Sequence, residues 1–99
     1  MEIEQVPASE WETWVDRNGG MVLDVREPAE WELGTLPGAV RIRLGDLSES
    51  VSSLDASKPT LVVCRSGSRS FQAALFLSMS GFKWAANMAG GMKALGLQP

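Results

Sequence analysis

Cys64 is the one cysteine of this 99-residue chain, and it opens the run Cys64-Arg65-Ser66-Gly67-Ser68-Arg69-Ser70. A lone cysteine is most often a small buried hydrophobe. Its neighbours here point to chemistry. Before it lies Thr60-Leu61-Val62-Val63, uncharged and of strong strand character, and after it a helical segment begins. Ser66, Gly67 and Ser68 are small enough to let the backbone curl between the two. A loop that curls before a helix turns several N–H groups toward one spot, and the helix N-terminus adds about half a positive charge. Arg65 and Arg69 add two full charges. Such a setting binds an anion and lowers the pKa of a thiol at its centre. The residues therefore read as a thiolate nucleophile, Cys64, in an anion-binding loop of Arg65, Ser66, Gly67, Ser68 and Arg69. In a turn of this kind the first side chain points outward. Arg69, at the helix start, is the arginine expected to face the cradle.

The rest of the composition narrows the chemistry. With no histidine in the chain, Ser-His-Asp and Cys-His mechanisms are excluded, and one cysteine without histidine speaks against a structural zinc site. No metal and no cofactor are expected. A single cysteine cannot form an intramolecular disulfide. The net charge of −3 gives no reason to expect nucleic acid or an acidic membrane as a partner. No apolar stretch approaches the ~20 residues that span a bilayer. The start, Met1-Glu2-Ile3-Glu4-Gln5, is acidic and lacks the basic and apolar stretches of a secretory signal. The cytoplasm is the expected compartment.

The elements that must hold Cys64 alternate between strand and helix signals. Ile3 to Val6 reads as a short strand. Pro7 and Ser9 open a helix, with Ser9 and Glu12 spaced as a capping box. Trp11, Trp14 and Val15 form its apolar stripe, and Asn18-Gly19-Gly20 stops it. Met21-Val22-Leu23 reads as a buried strand ending near Asp24 and Val25. Pro28 suits the first turn of a short helix through Trp31, closed at Gly34. Pro37-Gly38 is a turn. Val40, Ile42 and Leu44 alternate with arginines, as on an edge strand. Leu47, Val51 and Leu54 fit one helix face. Thr60 to Val63 is the next strand, followed by the loop and a helix carrying Phe71, Leu75 and Met79, closed by Gly81. Trp84 to Met88 reads as a last strand, and Gly90-Gly91 leads into a short final helix. Short apolar strands alternating with helices predict an α/β domain with a largely parallel sheet. Ligands bind at the carboxyl ends of such strands, so Asp24-Val25-Arg26 and Cys64 should share one edge. At 99 residues, 44% of them hydrophobic, the chain is expected to be one small domain with its own core.

Four pieces, in order, resemble the rhodanese family: Val22-Leu23-Asp24-Val25-Arg26-Glu27, Gly34-Thr35-Leu36-Pro37-Gly38-Ala39, the run from Cys64 to Ser70, and Gly90-Gly91. The resemblance extends from about Ile3 to Leu95. It departs at Thr35, where the family usually has histidine, and at Leu95, where it often has tryptophan. Both positions look structural. The resemblance implies one rhodanese-like domain over residues 1–99, with a five-stranded, mostly parallel sheet flanked by helices. It implies that Cys64 accepts sulfur and that Arg65 through Arg69 cradle the persulfide. Asp24 and Arg26 match residues near the family's site. They are read first as a charge pair tying the strand end to a neighbouring helix.

The activity so implied is transfer of sulfane sulfur from thiosulfate or another persulfide donor to a thiol or cyanide, through a persulfide on Cys64. The partners are a small anionic sulfur donor and a thiol or protein sulfur acceptor. Sulfite is a stable leaving anion that needs no proton, so the missing histidine is no obstacle. A cysteine phosphatase sharing the fold would have five residues between cysteine and arginine. Here there are four, and the cradle is tighter. Two other readings stay open: a binding or regulatory module without chemistry, and a persulfide carrier serving a partner protein with little free turnover.

Overall fold

Short runs with few charges become the strands at the centre of the molecule. The computed structural model describes residues 2–96. Its strands are β1 (Glu4–Pro7), β2 (Met21–Asp24), β3 (Val40–Arg41), β4 (Thr60–Val63) and β5 (Ala85–Ala89). They form one sheet in the order β1-β5-β4-β2-β3, and every pairing is parallel. The helices are α1 (Trp11–Asn18), α2 (Pro28–Trp31), α3 (Leu47–Ser50), α4 (Ser68–Met79) and α5 (Gly91–Ala94). An α/β domain with a five-stranded sheet and helices is thus what the sequence folds into.

β4 is the middle strand, and all four of its residues are buried. Neighbouring side chains on a strand face opposite sides, so its residues feed two cores. Val62 and Cys64 join Leu23, Val25, Leu47, Ala73, Ala74 and Leu77 on the side covered by α3 and α4. Leu61 and Val63 join Val6, Trp14, Val22, Ala86, Met88 and Met92 on the side covered by α1 and α5. Burial on both faces is why β2 and β4 read as unbroken apolar runs without alternation.

Several local readings shift. β1 and β5 each start one residue later than expected. The Ser9/Glu12 capping box does not form, because Ala8–Glu10 is a 3-10 turn and α1 begins only at Trp11. The reciprocal contact sits at α2 instead, where the Glu27 N–H donates to Glu30 Oε1 at 2.9 Å. The edge strand is only Val40–Arg41 long. Beyond it Ile42 and Leu44 still donate to Asp24 and Val25, but as irregular chain. The helix expected through Leu54 is α3 followed by a 3-10 turn at Val51–Ser53. On α4 the named residues are largely on the outer side: Phe71 is 39% and Met79 71% exposed, while Ser70, Ala73, Ala74 and Leu77 face inward. Small inward residues let this helix lie close on the sheet beside Cys64. Of the two departures from the family pattern, Thr35 is half-buried and Leu95 packs against the core containing Met92.

Candidate active site

Cys64 follows directly on β4 and has no exposed surface. Its sulfur nevertheless lies in a polar setting. Gly67 N–H donates to Sγ at 3.1 Å and Ser70 N–H at 3.3 Å. Gly67 precedes α4 with φ of 104°, a left-handed conformation that favours glycine and turns its N–H back toward the sulfur. α4 receives no side-chain cap from its own N-cap residue. The sulfur of Cys64 takes that place, accepting the N–H of Ser70 as a serine or aspartate oxygen would at an ordinary N-cap. Burial pushes the thiol up. The Ser70 hydroxyl and the N–H groups of Ser70, Gly67 and Ser66 outweigh it, so Cys64 is held below the ordinary thiol value.

One of these donors is shared. Ser70 Oγ lies 3.3 Å from Sγ and 2.5 Å from Asn87 Oδ1. The hydroxyl has one proton. Asn87 sits on β5 with its amide oriented by Nδ2, which donates to Gln5 Oε1 at 2.9 Å and Gly67 O at 3.2 Å. Its Oδ1 is thereby left facing Ser70. While that proton goes to Asn87 Oδ1, it is withheld from the sulfur. In the thiolate form the hydroxyl turns its proton to the sulfur, and Asn87 Oδ1 gives up its donor. Asn87 therefore tempers the stabilisation that Ser70 offers the anion.

The loop residues fare differently. Arg65 and Ser66 are exposed, Ser68 opens α4 with its side chain exposed, and Arg69 is half-buried. Arg69 does not point a free charge into the cradle. Its Nη1 and Nη2 donate to Glu30 Oε1 and Oε2 at 2.7 and 2.9 Å. The hydrogen bonds to Arg69 hold the Glu30 carboxyl down at about 2. Glu30 in turn raises the Arg69 guanidinium, to which the nearby Cys64 sulfur adds.

Asp24 and Arg26 form the expected charge pair, fully buried at the carboxyl end of β2. Arg26 Nη2 lies 2.9 Å from Asp24 Oδ2, and Nε lies 3.1 Å from both carboxylate oxygens. The same Nη2 donates to Gly34 O at 2.6 Å. The pair thus ties the strand end to the loop beyond α2 and not to a helix. The back of the cradle is held by α5. Met92 and Lys93 donate to the carbonyls of Cys64 and Arg65, each at 2.9 Å. A Cβ at Gly91 would collide with both carbonyl groups, which accounts for that glycine.

The geometry matches a known family. Residues 8–97 match the family model for the rhodanese-like domain. The chain belongs to the rhodanese-like domain family. It is 38% identical over 95 residues to YtwF of Bacillus subtilis (strain 168), named as a candidate sulfurtransferase, covering 95% of this chain and 91% of that protein. It is 32% identical over 75 residues to the thiosulfate sulfurtransferase GlpE of Pseudomonas entomophila (strain L48), covering 76% and 69%. Among solved structures it resembles the reduced CoADR-RHD of Bacillus anthracis, with 31% identity and a TM-score of 0.86 over 95% of this chain. The match spans only 16% of that longer protein.

Within this rhodanese-like fold, Gly67 reaches the Cys64 sulfur through its N–H, while Arg65, Ser66 and Ser68 are exposed and Arg69 is turned to Glu30. Three contributors escape a reading along the chain. Ser70 was visible in the motif, but only the turn of α4 shows that its hydroxyl meets the sulfur. Asn87 is a polar residue in an apolar strand, a signal that could have drawn notice. Glu30 gives no sign, since its link to Arg69 spans 39 positions.

Proposed function

We propose that this chain, acting as one domain in the cytoplasm, is a rhodanese-type sulfurtransferase that carries sulfane sulfur as a persulfide on Cys64. The observation that carries the reading is the convergence of the Gly67 and Ser70 N–H groups on Sγ at 3.1 and 3.3 Å. Such fixed donors favour an anionic sulfur as they would an oxyanion. The Cys64 thiolate attacks the outer sulfur of thiosulfate. The new bond joins the two sulfurs, the S–S bond of the donor breaks, and its electron pair leaves with sulfite. A thiol or cyanide then attacks the outer sulfur of the persulfide and returns Cys64 as thiolate. This is covalent catalysis in two steps. Asp24 and Arg26 support the carboxyl end of β2, the strand paired beside β4, from which the loop departs. With Arg69 held by Glu30, the loop is poorly suited to gripping three phosphoryl oxygens, which counts against a phosphatase.

Mass spectrometry of Cys64 after separate incubation with thiosulfate, polysulfide and glutathione persulfide tests the reading. One added sulfur on Cys64, absent in Cys64→Ser, is expected from at least one donor. No adduct from any of them would overturn it. Running a thiosulfate:cyanide assay beside transfer to a protein thiol separates free turnover from a carrier role.

A further inference from the structure

The cation that would meet an incoming anion is already engaged. Arg69 and Glu30 are joined fork to fork, at 2.7 and 2.9 Å, with 31% and 19% of their side chains exposed. Glu30 is held from a second direction by the Glu27 N–H, and Arg26 adds to the positive surroundings that keep it ionised. Arg65 is exposed and in no ion pair among the described residues. Of the two loop arginines, then, the exposed one stands without an ion pair among the described residues, and the one nearer the sulfur comes with a fixed carboxylate. Because Cys64 is fully buried, a donor reaches its sulfur only after neighbouring groups move. Thiosulfate is a compact dianion. To use Arg69 it must break a bidentate pair or bring its charge against Glu30. An alkyl persulfide carries at most one negative charge at its reacting end and has less need of that guanidinium.

We infer that Glu30 sets the donor specificity of the site, selecting against compact dianions and for alkyl persulfides. The inference rests on the sulfurtransferase reading. In the favoured step the Cys64 thiolate attacks the outer sulfur of R–S–SH. A sulfur–sulfur bond forms at Cys64, the donor's S–S bond breaks, and the electron pair leaves on the thiolate R–S⁻. Nothing is oxidised or reduced beyond the exchange of one sulfur atom.

The test is kcat/KM with thiosulfate and with cysteine persulfide, cyanide being the acceptor in both, for the full chain, Glu30→Gln and Glu32→Gln. Glutamine keeps an oxygen for the Glu27 N–H but loosens Arg69. The ratio of thiosulfate to persulfide efficiency should rise about ten-fold in Glu30→Gln, the effect expected for one charge-assisted contact. The rise should come mainly through KM for thiosulfate. Glu32, exposed on the turn after α2, controls for net charge, and Glu32→Gln should leave the ratio within about two-fold. Glu30→Ala is the second variant should the glutamine form fail to fold. An unmoved ratio, or an equal rise in Glu32→Gln, overturns the inference. Failure of both donors to load sulfur onto wild-type Cys64 would instead overturn the underlying activity.

Discussion

Two arginine–carboxylate pairs lie on the elements around the candidate site, and they sit at different depths. Asp24–Arg26 has no exposed surface. Glu30–Arg69 has the same chemistry and similar distances, but about a fifth to a third of each side chain meets solvent. A buried pair has paid the desolvation cost of both ions, so loss of one partner leaves the other stranded. A pair at the mouth can exchange partners with a passing anion. Pairing alone therefore does not tell a framework contact from a working one. Depth does.

The largest effect should come from breaking the deep pair. Asp24→Ala leaves the Arg26 guanidinium buried, with Gly34 O as its remaining partner. Stability measured by denaturant unfolding should drop by about 3–5 kcal/mol. A loss below about 1 kcal/mol would put the two pairs in one class.

Acid should sharpen the contrast next. The Glu30 carboxyl falls from an ordinary 4.5 to about 2 in the folded chain. A depressed folded pKa stabilises the fold above the unfolded value and is lost as pH falls through the folded one. Unfolding free energy should therefore decline between about pH 4.5 and 2. The loss is at most about 3 kcal/mol and is reduced by solvent screening of a partly exposed pair. Urea unfolding at pH 6 and pH 3 measures it, and Glu30→Gln should flatten the difference. An equal slope in that variant would assign the acid sensitivity elsewhere.

The smallest effect concerns the Cys64 thiol. Cys64 should be alkylated by iodoacetamide with a midpoint below that of an ordinary cysteine, read as rate against pH on persulfide-free protein. Ser70→Ala removes a donor from the sulfur and should raise the midpoint. Asn87→Ala releases the Ser70 proton to the sulfur and should lower it. A rise in both variants would mean that Asn87 acts only by holding the Gly67 loop.

Along the chain, elements that owe their form to local pattern were readable. β2 and β4 are short apolar runs, α1 ends at Gly19 with φ of 62°, and the loop between β4 and α4 announces itself by its small residues. What could not be read depends on contacts distant in sequence. The inward face of α4 is chosen by its fit against the sheet, which favours Ala73 and Ala74 over the bulkier Phe71 and Met79. The start of α1 is set by a 3-10 turn that no spacing reveals. In the site, Cys64 and its donors were legible because they are contiguous. The engagement of Arg69 was not, because its partner lies on α2.

Full burial of the one cysteine also bears on how the molecule ages in air. A disulfide between two copies needs their Cα atoms within ~7 Å, and a sulfur with no exposed surface cannot be brought that near another chain without opening the fold. Oxidation to sulfenic and higher acids follows thiolate character and access together. The donors around Cys64 favour the first, and its burial withholds the second. In the folded chain the thiol is thus sheltered from covalent pairing with its own kind.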